Sequence, residues 1–242
     1  WLITLLLLVF FQWYSYQALK TAISNRWILY GYVFFTVIIV GNLLFYTLIL
    51  ERNTTNEPRL MYAIGFFLSL LIFQLLVSVI LLAEDVFRTP QALYSFLKRV
   101  PEQTQFIPSR RKIISQIALG LASIPFASLL YGMYRGKYNY KVLSYNLEFE
   151  DLPDAFDGFK ITQISDIHSG SFDNQTKVQY GVDLVNQQKS DLVLFTGDLV
   201  NNRADEIKPW IKIFNKIKAE FGIFSILGNH DYGDYMRWES PG

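Results

Sequence analysis

The sequence predicts a multi-pass α-helical membrane region followed by a separate α/β domain with a βαβαβ order. Three observations carry that prediction. Charged residues number 15 in residues 1–134 and 28 in residues 135–242. The first region has 10 Lys/Arg against 5 Asp/Glu and the second 12 against 16, so a net charge of +1 conceals two regions of opposite sign. The apolar residues of the first region gather in four uncharged stretches, whereas those of the second alternate with polar turns. A single soluble domain is excluded. With no cysteine, so is a disulfide or thiolate–metal scaffold.

The uncharged stretches are residues 1–19, 27–50, 60–83 and 113–134, of 19, 24, 24 and 22 residues. About 20 mostly apolar residues let a helix cross the hydrocarbon core. None shows the polar stripe of a helix lying on a soluble core. Their polar residues are scattered singles such as Asn42, Gln74 and Ser78, suited to bonds between helices. Trp13, Tyr14, Tyr16, Trp27, Tyr30, Tyr32, Tyr131 and Tyr134 stand near the ends, as at a lipid–water boundary. Residues 1–134 therefore read as a four-helix transmembrane region with the lipid bilayer as its partner.

Lysine and arginine set the expected orientation. Loops one and three hold eight (Lys20, Arg26, Arg88, Lys98, Arg99, Arg110, Arg111, Lys112); the opposite side holds five (Arg52, Arg59, Arg135, Lys137, Lys141). The positive-inside rule then leaves the chain after Tyr134 on the outer side of an inner (plasma) membrane. Ser109-Arg110-Arg111-Lys112 before a small-residue-rich apolar run also resembles a twin-arginine export signal. The plainer reading is a basic cluster anchoring the inner end of a helix.

In the second half, residues 135–147 read as a linker and first strand, with alternation running over 142–149, and residues 148–242 as the α/β domain. Residues 160–165 form a strand-like run ending at Asp166. Residues 174–188 are amphipathic, with Val178, Val182 and Val185 at helical spacing. Residues 192–196 are a buried run ending in Gly197-Asp198. Residues 205–220 predict a second helix carrying Ile207, Ile211, Phe214 and Ile217 on one face. Residues 223–227 are a third run ending in Gly228-Asn229-His230-Asp231. Alternation at these lengths means a largely parallel sheet. Such sheets place their sites at the carboxyl ends of the strands, so the three polar clusters are expected at one edge.

Asp166, His168, Asp198, Asn229, His230 and Asp231 would meet there. Oxygen and imidazole donors together suit Mn, Fe, Zn, Co or Ni, whereas a calcium site needs no histidine. Both histidines of the chain lie in these clusters.

Asp166-Ile167-His168, Gly197-Asp198 and Gly228-Asn229-His230-Asp231, spaced at about thirty residues, resemble the D-x-H, G-D and G-N-H-[DE] motifs of the calcineurin-like metallophosphoesterases. FKITQISDIH at 159–168 and FGIFSILGNHDYG at 221–233 are similar to a membrane-associated or exported bacterial branch. The resemblance implies an α/β sandwich of which the chain holds the βαβαβ portion, C-terminally truncated. It implies two divalent metal ions, with Asp166 and His168 on the first, Asp198 bridging, and Asn229 on the second through its amide oxygen. His230 would serve the leaving group or hold the phosphoryl, with Asp231 orienting its imidazole. The implied reaction is hydrolysis of a phosphomonoester, phosphodiester or pyrophosphate by a hydroxide activated between the metals. The substrate expected is a lipid-linked or cell-envelope phosphoester, with no nucleic acid indicated. Tyr232, Tyr235 and Trp238 could line a pocket or be plain surface aromatics.

Alternatives are a UDP-2,3-diacylglucosamine-type pyrophosphate hydrolase of lipid A synthesis, whose substrate arises on the cytoplasmic face, and a catalytically inactive membrane sensor or scaffold. The family pattern adds a further histidine and a G-H-x-H motif. No histidine follows His230, so the chain is expected to be part of a longer protein.

Overall fold

A computed structural model describes residues 2–48, 58–98 and 108–235. The chain divides into two compact units, Trp1–Glu51 with Tyr62–Tyr134, and Arg52–Met61 with Arg135–Gly242.

The first unit contains four helices: α1 (Leu2–Ala22), α2 (Arg26–Leu48), α3 (Pro58–Lys98) and α4 (Pro108–Tyr134). Proline opens both α3 and α4, where a missing N–H costs nothing and the fixed φ favours the first turn. Among the described residues, Arg26–Leu48, Arg59–Pro90 and Arg110–Tyr134 are long and apolar enough to cross a membrane. The fourth expected span, residues 1–19, coincides with α1, which is not one of these three; Trp1 lies outside the described residues.

The core of the bundle is Tyr14 and Ala18 of α1, Val77 and Leu81 of α3, and Ala122 of α4. The two alanines let backbones approach closely, which drives helix association where lipid and side chain are equally apolar. Polar groups tie α1, α2 and α3. Gln74 donates to Gln12 and, at 3.1 Å, to the Tyr32 hydroxyl. Tyr32 donates to Gln12 Oε1 at 3.2 Å, and Ser15 donates to the Gln74 carbonyl at 3.2 Å. Gln74 is thus an interhelical contact, whereas Asn42 is exposed and Ser78 Oγ is buried without a hydrogen-bond partner among the described residues.

Arg111 does not lie free beside Arg110. It is paired with Glu84 and, at 2.9 Å, with Asp85, both on α3. Tyr14 of α1 also donates to Asp85. Glu84 has only 6% of its side chain exposed. This ties three helices through charges that would otherwise be stranded, and it favours the anchoring reading of the basic cluster.

The second unit is built on three parallel strands in the order β1 (Ile161–Ile164), β2 (Leu192–Phe195), β3 (Ile223–Ser225). Ile161 pairs with Leu192 and Ile164 with Phe195; Val193 pairs with Ile223. Between β1 and β2 lies α5 (Gln175–Gln187), whose Asn174 cap accepts from Lys177 N at 3.0 Å. Its Val178 and Val182 are buried as their spacing predicts.

Two expectations are corrected. Residues 142–149 form no strand: Val142, Leu143, Tyr145, Leu147 and Phe149 are all exposed and no described strand pairs with them. Alternation alone cannot hold a strand without a neighbour to satisfy its backbone. The single helix expected over 205–220 is a 3-10 segment, Ala204–Trp210, followed by α6 (Ile211–Phe214). Pro209 lacks an N–H and so interrupts α-helical bonding. The buried face is consequently Trp210 and Ile213, with Ile207, Phe214 and Ile217 partly buried, while Ile211 is exposed.

Tyr138 joins Val178, Val182, Trp210 and Ile213 in this core. Its hydroxyl accepts from Asp173 N at 2.9 Å and Asn174 N at 3.1 Å and donates to Asp173 Oδ1 at 2.8 Å. Lys137 pairs with Asp173 at 2.7 Å. The chain is therefore part of the α/β core within four residues of the end of α4. Burial, with Tyr138 beside it, pushes the Tyr140 phenol up to about 12.

Candidate metal centre

Each strand ends in a turn that carries donors. Asp166, His168 and Asp198 adopt left-handed backbone conformations, with φ of 53°, 46° and 58°. For residues other than glycine, such conformations cost about 1–3 kcal/mol each and persist only where the surroundings over-determine them. The surroundings here are the two neighbouring loops. Asp166 N donates to the Gly197 carbonyl at 3.1 Å, His168 N to the Asp198 carbonyl at 3.0 Å and Ser169 N to the Leu199 carbonyl at 3.0 Å. The loops after β1 and β2 thus continue the parallel pairing beyond the strands.

The loops after β2 and β3 meet at two glycines. A Cβ on Gly197, itself at φ 105°, would stand 2.5 Å from Gly228 N. A Cβ on Gly228 would stand 2.6 Å from Asp198 N and collide with the Asp198 carboxylate as well. Only hydrogen fits at both positions.

The result is a compact donor set. Ligand atoms of His168, Asp198 and His230 lie within 4.8 Å of one another. His168 Nε2 is 3.9 Å from Asp198 Oδ2 and 4.0 Å from Asp166 Oδ1. The two imidazoles meet edge to face with centroids 4.7 Å apart. Asp198 is buried, and its Oδ1 accepts from His230 N at 2.9 Å. Among the described residues neither Asp166 nor Asp198 is paired with lysine or arginine. A buried carboxylate without a cationic side chain, facing two imidazoles, fits a divalent metal. Asn229 is exposed; its amide nitrogen donates to the Tyr235 hydroxyl at 2.9 Å, which turns the amide oxygen away from that bond.

Asp231 does something different from what the resemblance implies. Its Oδ2 accepts from Asp198 N at 2.8 Å and Gly228 N at 2.9 Å. Its Oδ1 accepts from Leu199 N at 2.8 Å and Val200 N at 3.2 Å. The carboxylate is spent on four backbone donors, so it clasps the β2 and β3 loops rather than orienting an imidazole. The imidazole is held elsewhere: His230 Nδ1 lies 2.6 Å from the Asn201 carbonyl. His230 also packs against Tyr235, with centroids 4.6 Å apart and the rings tilted by 34°. Tyr235 therefore belongs to the site, Tyr232 is exposed, and Trp238 lies outside the described residues.

Sequence reasoning did not single out Asn201 or Glu206. Glu206 accepts from the backbone N–H groups of Asn201, Asn202 and Arg203 at 2.6, 3.1 and 3.0 Å. The available signal was a glutamate three residues after Arg203, the residue that caps the 3-10 segment, which is the spacing of a capping box. Nearby, Arg203 grips Asp205 through two contacts of 3.1 Å and holds that carboxyl below the usual range.

In the chain, a membrane-type helical region is followed by a parallel α/β unit with clustered metal donors at its strand ends. The chain belongs to the calcineurin-like phosphoesterase family. The profile described as "Probable Calcineurin-like phosphoesterase, transmembrane domain" matches residues 1–137, and that of "Calcineurin-like phosphoesterase" matches residues 159–241. A Bacillus subtilis metallophosphoesterase, YkuE, is 32% identical over 107 residues, covering 43% of this chain and 37% of that protein. A Helicobacter pylori metallophosphoesterase is 31% identical over 142 residues, covering 58% and 37%. A Danio rerio transmembrane protein with metallophosphoesterase domain is 29% identical over 111 residues, covering 45% and 25%. The chain spans less than two fifths of the length of these relatives. No solved structure matches it.

Proposed function

We propose that the protein is a membrane-anchored hydrolase of phosphoester bonds that works with two divalent metal ions. The observation carrying this reading is the convergence of His168, Asp198 and His230, with Asp166 beside them, from three separate strand ends. In this reading Asp166 and His168 hold one ion, Asp198 lies between both, and the Asn229 amide oxygen holds the other. When bound, the ions would supply a nucleophilic hydroxide near neutral pH and neutralise charge on the phosphoryl oxygens.

The chain's own groups would orient and protonate. The Asn201 carbonyl can only accept, so the His230 nitrogen facing it carries a proton and Nε2 is left for the substrate side. From there Nε2 would donate to the leaving-group oxygen or to the transition-state phosphoryl only in the imidazolium, which carries a proton on Nε2 as well as on Nδ1 and gives up the Nε2 proton. Tyr235 packs against the same ring and fixes its plane. Asp231 has no chemical role in this scheme; it positions Asp198.

The substrate class that suits a membrane anchor is a lipid-linked or cell-envelope phosphoester. The excess of Lys/Arg in loops one and three supports an outer location for the catalytic domain on a bacterial inner membrane. The test is turnover by the full-length protein with Mn²⁺ on an aryl phosphodiester and an aryl phosphomonoester. His230→Ala should reduce kcat by about 10²-fold with Mn²⁺ retained. Wild-type turnover in that variant would remove His230 from the chemistry. Metal binding without turnover on either substrate would favour a sensor or scaffold. A reporter fused after Gly242 reads the sidedness, and a cytoplasmic signal would overturn the outer location.

A further inference from the structure

Six consecutive backbone N–H groups, from Asp198 to Arg203, all donate to just two carboxylates. Asp231 takes the first three and Glu206 the last three. Asp198 is in the first half of this loop. The second half begins with Asn201, whose carbonyl faces His230 Nδ1 at 2.6 Å. One carboxylate therefore positions the candidate bridging ligand, and the other positions the group that grips the imidazole.

We propose that Glu206 is a positioning residue for the candidate centre: by holding Asn201–Arg203 it keeps the Asn201 carbonyl on His230 Nδ1 and so fixes which imidazole nitrogen faces the site. Its carboxylate has built-in space. A Cβ at Gly170 would stand 2.8 Å from Glu206 Cδ and 3.2 Å from Asn201 Cγ, so glycine there is what admits both side chains. Asn201 is held from a second side by its Nδ2, which donates to Ser171 Oγ at 3.0 Å. Asn201 Oδ1 is buried and makes no hydrogen bond among the described residues, so the amide is held through its nitrogen. The peptide, not the side chain, does the work at His230. Removing a carboxylate acceptor from three adjacent N–H groups frees that peptide to rotate. The imidazole then loses its only described acceptor at Nδ1 and can exchange tautomers.

This inference rests on the phosphoesterase reading only for its kinetic arm. The chain has two histidines, so ¹⁵N-histidine labelling of the full chain in detergent micelles yields two imidazoles, assigned with His230→Gln. In metal-free wild type at constant pH, His230 should show widely separated Nδ1 and Nε2 shifts, with the proton on Nδ1. Glu206→Gln, which keeps the shape and replaces one acceptor with a donor, should draw the two shifts together. Gly170→Ala, which crowds the same carboxylate without altering it, should do the same and guards against a fold-specific effect of the first variant. Lys208→Ala, exposed on the same segment, is the control. Far-ultraviolet circular dichroism should be unchanged in all. In the kinetic arm, Glu206→Gln should lower kcat on an aryl phosphodiester with Mn²⁺ by about 10- to 100-fold, with KM within threefold. Unchanged His230 shifts in both Glu206→Gln and Gly170→Ala overturn the proposal. Absence of wild-type turnover on both the aryl phosphodiester and the aryl phosphomonoester instead overturns the hydrolase reading and leaves the imidazole result to decide the role of Glu206.

Discussion

Replacing Asp231 with asparagine separates a clasp from a catalytic group. The substitution preserves size and removes the charge. Whichever oxygen becomes the amide nitrogen then faces two backbone N–H groups: either Asp198 and Gly228, at 2.8 and 2.9 Å, or Leu199 and Val200, at 2.8 and 3.2 Å. Two charge-assisted bonds are lost, at about 1.5–3 kcal/mol each, and two donors are left pointing at a donor. The local cost is thus at least about 3 kcal/mol, or about 10²-fold in the opening equilibrium of the loop. Hydrogen exchange of the full chain in micelles, read by mass spectrometry on peptides covering 197–201 and 226–230, measures this directly. Protection there should fall by about two decades, while peptides of α5 remain as in wild type. Mn²⁺ affinity should fall with it, because Asp198 rides on the same loop. Protection within threefold of wild type would refute the clasp. Lost turnover with intact protection and intact metal binding would return Asp231 to a chemical role.

Arg111→Ala should destabilise the helical bundle by about 3–5 kcal/mol, because it strands the buried Glu84 carboxylate, whereas exposed Arg110→Ala should change little; helicity against a denaturing detergent titration distinguishes them. Gly228→Ala places a methyl group 2.6 Å from Asp198 N and should weaken Mn²⁺ binding at least tenfold in calorimetry, with helicity unchanged. The Tyr140 phenol, near 10 when unfolded and about 12 when folded, keeps its proton longer in the native state. Its stabilising contribution is therefore complete below pH 10 and lost as pH rises toward 12. Because the ring is partly exposed, the effect should be about 1 kcal/mol after solvent screening, and Tyr140→Phe should abolish that part of the alkaline loss.

Much of the architecture was legible because it depends on composition and period. Uncharged runs of helical length announce membrane-type helices whatever their partners. Val178 and Val182 declare the buried side of α5 through their spacing alone. The convergence of His168, Asp198 and His230 was legible because their short polar motifs close consecutive strands of a parallel sheet. The strand expected over 142–149 was not legible: its alternation is real, but a strand needs a neighbour, and no described strand supplies one. The helix over 205–220 failed at Pro209, where an apolar period and a missing N–H conflict and the missing bond prevails.

By itself the sequence determined which residue types stand at each strand end and which segments are too apolar for water. Only the tertiary structure decided what those residues do to one another. Asp231 reads as a partner for the adjacent histidine, yet its carboxylate turns to four backbone donors on another loop. His230 takes its acceptor from Asn201, 29 residues away, and Arg111 takes its charges from a different helix. The reason is that hydrogen bonds and ion pairs are satisfied by proximity in space, and a side chain next in sequence commonly points away from its neighbour. Motif spacing carries chemical identity; the geometry of approach assigns the role.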